Sequence, residues 1–371
     1  MIGRALVSVV GGVMVSFSLN AASAGSAHDW QRASPAEAGF SPEIGDTLDD
    51  AVRRNELANL HAVVVVRGGK LALERYYEGV DERRGRSLGT VAFGPEIKHD
   101  LRSVTKSIVG LLYGIALADG QVADLDQPLV DQFPAYGDLA AESERRRMTV
   151  FHALSMTLGT EWNEDLPYTD PRNSETAMDR ADDRYRYVLD RPFAAPPGSR
   201  WTYNGGATAL LAHMISQGAG QPLLDYARDK LFTPLGITDV EWIVGSDGEP
   251  IAASGLRMRP RDLAKIGQLI LDGGTWGGSR VVPSEWLDQS FEPRIRTDDD
   301  IDYGFHWWLG KLRSNGQPWI GAFGNGGQRL FVIPSVRLVV VITAGNYNKP
   351  DQWKLPVAVM GDVVLPALRD E

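Results

Sequence analysis

The sequence predicts an α+β fold: an antiparallel sheet built from both ends of the chain and flanked by helices, with a mainly helical insert between them. Three observations carry this reading. β-branched or alternating runs recur towards both ends, at Leu60 to Arg67 and Lys70 to Tyr77 and again at Arg329 to Ile333 and Leu338 to Thr343. Between them, apolar residues recur at spacings of three and four, the period of a helix face. No Pro/Ser/Gly linker separates two halves, which argues for one unit elaborated by an insertion. The expected organisation is a signal peptide over 1–24, a sheet domain from 25–115 and 255–371, and a helical insert over 116–254.

Taken in order, Arg4, the apolar stretch Ala5 to Leu19 and the small-x-small site Ala22-Ser23-Ala24 read as an export signal. About 15 apolar residues fall short of the roughly 20 that span a bilayer. A periplasmic or secreted protein with no stable membrane anchor after cleavage is expected. Next, Gly68-Gly69 between two strand-like runs predicts a hairpin with a two-residue turn. Helices follow at Ile108, Leu111, Leu112 and Ile115, at Leu210, Leu211, Met214 and Ile215, and at Leu263, Ile266, Leu269 and Ile270. The segment Asn163 to Arg200, rich in Asp, Arg and Pro, reads as a long surface loop carrying one short helix. A second hairpin, turning at Pro334 to Arg337, closes the sheet.

Composition removes whole classes of function. Lys+Arg total 38 against Asp+Glu 48, a net charge of -10, so the chain offers no basic footprint for nucleic acid. Without cysteine there is no thiol nucleophile, iron-sulfur cluster or cysteine-zinc site. The six histidines never fall in a metal-ligand spacing, so neither metal nor cofactor is expected. The G-x-S-x-G, H-E-x-x-H and G-x-x-x-x-G-K-[ST] motifs are absent. One tetrapeptide remains, Ser103-Val104-Thr105-Lys106, directly before a helical pattern. Residues three apart on a helix share a face, so the lysine can reach the serine hydroxyl. Burial that lowers the lysine pKa would make it a base for that nucleophile, and the helix N-terminus would favour a developing oxyanion. Taken alone, the pattern is equally a helix start with a serine cap.

The stretch RSVTKSIVGLLYGIALADGQV resembles the nucleophile helix of the penicillin-recognising serine hydrolases, which include class C β-lactamases, DD-peptidases, family VIII esterases and 6-aminohexanoate-dimer hydrolases. MTVFHALSMTLGTEW, PPGSRWTYNGGATALLAHMI, YARDKLFTPLGITDVEW, SGLRMRPRDLAKIGQLILDGGTWGG, YGFHWWLG and GNGGQRLFVIPSVRLVVVITAG follow in that family's order. The resemblance implies a β-lactamase/DD-peptidase-like fold. It makes Ser103 the acylated nucleophile, Lys106 its proton acceptor and Tyr203 the tyrosine of a Y-x-N motif. It aligns Asn325-Gly326-Gly327 with a substrate-binding triplet on a strand lining the site, and it puts the oxyanion hole at the N-H groups of Ser103 and Gln328. Tyr168, in the long loop, is a further candidate at the substrate.

Two departures bear on substrate. In Tyr203-Asn204-Gly205 a glycine stands where the family's amide points into the site, and Asn325 replaces the cation that opens the third motif. Both point away from carboxylate-bearing β-lactams and D-Ala-D-Ala peptides. The expected function is an exported serine hydrolase acting on a small ester or linear amide. A DD-peptidase or weak β-lactamase, and a catalytically silent protein that binds cell-wall fragments, are the alternatives.

Overall fold

A computed structural model describes residues 30–297 and 301–369, so the signal-peptide reading of residues 1–24 lies outside the described residues. Its centre is an antiparallel sheet of eight strands. Their spatial order is Ile295–Arg296, Asp302–Tyr303, Trp308–Lys311, Pro318–Gly324, Gln328–Ile333, Leu338–Ala344, Leu60–Arg67 and Lys70–Tyr76. The join between the two ends of the chain is the pairing of Leu60–Arg67 with Leu338–Ala344, in which Val63 faces Ile342 and Val65 faces Val340. The middles of these two strands, residues 63–66 and 339–342, are unbroken apolar runs because both faces of the sheet are covered there. Val64 and Val66 enter the core on one face, while Val63 and Val65 enter the core on the other with Phe40, Ile44 and Leu48. The hairpin turns as its glycines require: Gly68 and Gly69 take φ of 56° and 81°, the left-handed region that a two-residue turn uses.

Between 116 and 254 the regular structure is almost all helix, in short pieces apart from Gly205–Ala219 and joined by long irregular stretches, and the expected boundary at 115 falls inside the helix Val104–Ala118. A small second sheet ties this region to the rest, with Leu256–Met258 paired to His99–Asp100 on one side and Glu241–Trp242 on the other. The long Asp/Arg/Pro-rich segment departs from the expected surface loop. It holds two short helices, Ser174–Asp179 and Arg184–Leu189, and buries Glu175, Met178, Arg184 and Val188. Some of its charges pair inward: Arg184 meets Asp247 at 2.7 Å, and Arg84 reaches Asp179, while others such as Arg172 and Asp190 stay exposed.

Helix Val104–Ala118 is buried along most of its length, as expected of a helix apolar all round. Gly114 lets the indole of Trp286 lie against the helix backbone, where Trp286 Nε1 donates to the Gly110 carbonyl at 3.0 Å. A Cβ on Gly114 would fall inside the Trp286 ring. Alanine gains about 1 kcal/mol over glycine in helix propensity, whereas overpacking a rigid neighbour costs about 1 to 3 kcal/mol. A Cβ that close to the indole puts the cost at the upper end of that range, so Gly114→Ala is expected to lower the free energy of urea unfolding by about 2 kcal/mol. An unchanged or raised midpoint would show that Trp286 can move aside.

Candidate active site

Ser103 is presented by a sharp change of direction. Strand His99–Asp100 is fixed by its pairing to Leu256–Met258, and Leu101 N-H donates to the Leu256 carbonyl at 2.9 Å. Arg102 then takes a φ of 50°, a left-handed conformation disfavoured for a residue with a side chain, and the helix begins at Val104. Arg102 is held in place by Glu82 at 2.5 Å and by the Tyr347 ring, 4.5 Å from its guanidinium carbon. Although Ser103 occupies the N-cap position, its hydroxyl makes no capping bond and instead accepts from Lys106 Nζ at 3.1 Å. The nucleophile candidate is left uncommitted to the backbone.

Lys106 is fully enclosed, and its ammonium donates to three oxygens: Ser103 Oγ and the Ala253 carbonyl, both at 3.1 Å, and Glu175 Oε2 at 3.3 Å. Its Nζ also lies 4.8 Å from the centre of the Tyr203 ring. The expectation of a lysine whose pKa is lowered by burial is corrected here. Burial does act in that direction, but Glu175 first, then Tyr203 and Glu164, outweigh it and raise the pKa above the ordinary lysine value. At rest Lys106 is an ammonium. Burial likewise raises Tyr203, against the opposing influence of Lys106 and the Ser103 hydroxyl, so its phenol is neutral.

The two carboxylates that bring this about were not singled out from the sequence. Burial would raise Glu175, yet Lys106 and then Arg84 hold it down to about 2, and Ser254 Oγ donates to its other oxygen at 2.6 Å. Glu164 is pushed up to about 7 by burial, with Lys106 opposing and the Glu175 charge reinforcing. It accepts from the Gly205 N-H at 2.5 Å, Trp162 Nε1 at 2.6 Å and the Tyr168 hydroxyl at 2.9 Å. Tyr168 thus stands beside Glu164 within the cluster. The glycine that departs from the Y-x-N pattern now has a physical reason. A Cβ on Gly205 would collide with Glu175 Oε2 and come within 3.1 Å of Glu164 Oε1. The two carboxylates fill the space that a side chain there would take. Asn204, one place earlier, caps helix Gly205–Ala219 by accepting from Ala207 N-H at 3.0 Å. That missing side chain was the one sequence signal that could have led to Glu164 and Glu175.

Asn325-Gly326-Gly327 lies in the turn between strands Pro318–Gly324 and Gln328–Ile333 and not on a strand, with Gly326 and Gly327 at φ of 94° and 99°. Positive φ at two successive residues makes a turn, from which Gly326 forms only an isolated bridge to Asn346. The Asn325 carboxamide is committed to Asn348, donating to its side-chain oxygen at 3.0 Å and accepting from its N-H at 2.8 Å. Gln328 braces the turn from within, its Nε2 donating to the carbonyls of Asn325 and Ala344 at 3.1 and 2.7 Å. It pairs across the ladder with Gly324, whose α-carbon packs against the Leu101 carbonyl just ahead of Ser103. Arg329, the next residue, donates to the Gly324 and Gln328 carbonyls and stacks 4.4 Å from the Phe323 ring centre. A wall of half-buried aromatics extends from Tyr203 through Trp201, Trp308 and Phe323 at ring separations of 5.3 to 5.9 Å.

If the carboxylates require the empty space at Gly205, restoring the amide is harmful. Gly205→Asn is expected to displace Glu175 from Lys106, lower kcat at least tenfold and cost about 1 to 3 kcal/mol of stability. Hydrolysis assays and urea titration of the variant check this, and wild-type values in both would contradict it.

Comparison with known proteins places this geometry. A family model described as Beta-lactamase matches residues 54–355. A 6-aminohexanoate-dimer hydrolase of Paenarthrobacter ureafaciens is 26% identical over 331 residues, covering 83% of this chain and 78% of that protein. Among solved structures, EstCE1, described as a hydrolase with promiscuous acyltransferase activity, superposes with a TM-score of 0.68 at 15% identity, covering 88% of this chain and 98% of that one. The octameric penicillin-binding protein homologue of Pyrococcus abyssi superposes at 0.63 and 16% identity, covering 86% and 76% of the two chains. The sheet joined from both chain ends, the serine-lysine pair at a buried helix start and a family match across most of the sequence lead to one conclusion: the chain belongs to the Beta-lactamase family.

Proposed function

We propose that the protein is an exported serine hydrolase that cleaves small esters or linear amides through an acyl-enzyme on Ser103. The observation that carries this reading is the 3.1 Å contact between Lys106 Nζ and a Ser103 hydroxyl free of any capping role. Similarity to a 6-aminohexanoate-dimer hydrolase supports the ester or amide class, and Arg4, the apolar stretch Ala5 to Leu19 and Ala22-Ser23-Ala24 support export.

Ser103 Oγ attacks the substrate carbonyl carbon as its proton enters the cluster of Lys106, Tyr203, Glu164 and Glu175. Because Lys106 is an ammonium at rest, the cluster accepts a proton only when it is already one proton short. Glu164, near 7, is the group whose ionisation creates that shortage; it acts on Lys106 through its charge and not through a direct hydrogen bond. The oxyanion forms at the helix start, with the Ser103 and Gln328 N-H groups as its donors. Collapse of the intermediate breaks the ester or amide bond, and Tyr203 returns the proton to the leaving alcohol or amine. Water then repeats the attack on the acyl-enzyme, and Ser103 recovers its proton.

Substrate class follows from what surrounds Ser103. A substrate carboxylate needs a fixed cation or a fork of donors. Asn325 is tied to Asn348, and Arg329 donates to two backbone carbonyls. The aromatic wall suits an apolar, uncharged acyl group. A panel of p-nitrophenyl esters, short amide dimers and nitrocefin is the test. The best neutral substrate is expected to exceed nitrocefin at least tenfold in kcat/KM, and Ser103→Ala is expected to lower kcat by about a thousandfold or more in a folded protein. Nitrocefin turnover equal to the best ester would favour a β-lactamase. Failure to react with any substrate or with a fluorophosphonate would leave a silent binding protein.

A further inference from the structure

Outside the catalytic cluster, three side chains far apart in sequence converge in the core: His61 in strand Leu60–Arg67, Asp81 in strand Glu78–Arg83 and His99 in strand His99–Asp100. All three are buried, and one ligating atom from each lies within 4.8 Å of the others. His61 Nδ1 and His99 Nε2 face each other at 2.8 Å, and His99 Nε2 is 3.7 Å from Asp81 Oδ1.

The hydrogen bonds around the two rings determine which nitrogens carry protons. His99 Nδ1 lies 2.9 Å from the Asp100 carbonyl, which only accepts, so Nδ1 holds the proton and Nε2 presents a lone pair. His61 Nε2 lies 3.2 Å from Asn59 Oδ1. The Asn59 amide cannot be turned round, because its Oδ1 accepts from Val80 N-H at 2.8 Å while its Nδ2 donates to the Val80 carbonyl at 3.0 Å. His61 Nε2 is therefore the N-H, and His61 Nδ1 also presents a lone pair. Two lone pairs aimed at one another across 2.8 Å repel unless something positive stands between them. A proton held between the rings is the rival to a metal ion, and the two differ in what they ask of Asp81: only a metal ion draws its oxygen in as a ligand.

The remaining surroundings fit a cation. Asp81 is a buried carboxylate with no arginine or lysine in ion-pair reach among the described residues, and the Tyr347 hydroxyl donates to its Oδ1 at 2.8 Å. The neighbouring Asp100 is matched separately by Arg257 at 3.2 Å and Arg102 at 3.5 Å. Each histidine gives its second N-H to an oxygen, the outer-shell arrangement that orients imidazole ligands towards a metal. Phe93 stacks on His61 at 4.2 Å and shields the cluster.

We infer that His61 Nδ1, His99 Nε2 and Asp81 Oδ1 form a binding site for one late first-row divalent metal ion of the zinc class. Two imidazoles and a carboxylate are the donor set zinc takes, at about 2.0 to 2.2 Å per bond. Small rotations that part the two rings and bring Asp81 inward seat the ion. The site was not legible in the sequence, where the histidines stand 38 residues apart and no metal was expected. Its place in the fold gives it a structural role. His99 lies in the strand that leads to Ser103, and Tyr347 packs on Arg102 and closes over Gly326. The ion would fasten the segment entering the nucleophile to the glycine turn opposite.

The test uses the untagged full-length protein, stripped with a chelator and titrated with Co2+ and, in competition with a chromophoric chelator, with Zn2+. One equivalent per chain is expected, with the visible bands of tetrahedral cobalt. His61→Ala and His99→Ala are expected to weaken Zn2+ at least a hundredfold, and Asp81→Asn at least tenfold, while His152→Ala leaves binding unchanged. Should the histidine variants fail to fold, the zinc-edge anomalous map of the wild-type crystal decides, with a peak among the three side chains expected. Wild-type protein that takes up no Zn2+, or an anomalous peak elsewhere, overturns the proposal. So does an imidazole 15N spectrum of the metal-exposed protein with one imidazolium shared by the pair.

Discussion

The buried pairing of Lys106 with Glu175 is the interaction on which the rest of the site depends. An ammonium enclosed without a partner is too costly to keep, and removing one member of such a pair typically costs about 3 to 5 kcal/mol. Glu175 meets that need from helix Ser174–Asp179, and in doing so draws the Asp/Arg/Pro-rich segment into the core. Arg84 and the adjacent Ala253 carbonyl and Ser254 hydroxyl complete the enclosure from two other parts of the chain. The position of Ser103 follows, because the same ammonium that Glu175 fixes is the group that holds the hydroxyl.

This pairing also defines the catalytic problem. A lysine whose charge is matched so well is a poor base, and the site answers with a second carboxylate of very different affinity. Glu175 stays ionised near 2, held by Lys106 and Arg84, while Glu164, removed from water and next to the Glu175 charge, sits near 7. In the proposed mechanism two like groups driven apart by their surroundings divide the work: one anchors charge and the other exchanges a proton near neutral pH. Gly205 is the steric condition for having both, and its N-H is one of the donors that keep the Glu164 carboxylate in place.

The backbone architecture was largely legible in the sequence because it rests on local patterns. Val63 to Val66 and Val339 to Val341 announce buried strands, Gly68-Gly69 announces the turn, and Ser103 with Lys106 are near enough in sequence to be read as a pair. What escaped the reading depends on contacts between distant segments. Nothing in Asn163 to Arg200 marks Glu164 or Glu175 as buried, since an acidic residue in a charged stretch looks solvated until its partners are known. The direction of the Lys106 pKa was misread for the same reason: burial was foreseen and its counter-charge was not. Asn325-Gly326-Gly327 was placed on a strand by resemblance, whereas the paired positive φ values make it a turn. The expectation drawn from Gly205 was of a gap where an amide belongs, and the space is occupied from the side by carboxylates.

The claim at the centre of this account is that Ser103 can lose its proton only to a cluster already missing one, and that Glu164 sets the pH at which this occurs. The pH dependence of kcat/KM for a neutral ester, compared between wild type and Glu164→Gln, tests it most directly. A carboxyl raised by its surroundings is protonated below its pKa. The wild-type rate should therefore rise with pH through about 7 as Glu164 ionises. In the variant that limb should vanish, with the rise moved to alkaline pH, where Lys106 or Tyr203 must give up the proton instead, and with at least a tenfold lower rate at pH 7. An acid limb near 7 that survives unchanged in Glu164→Gln would contradict the account.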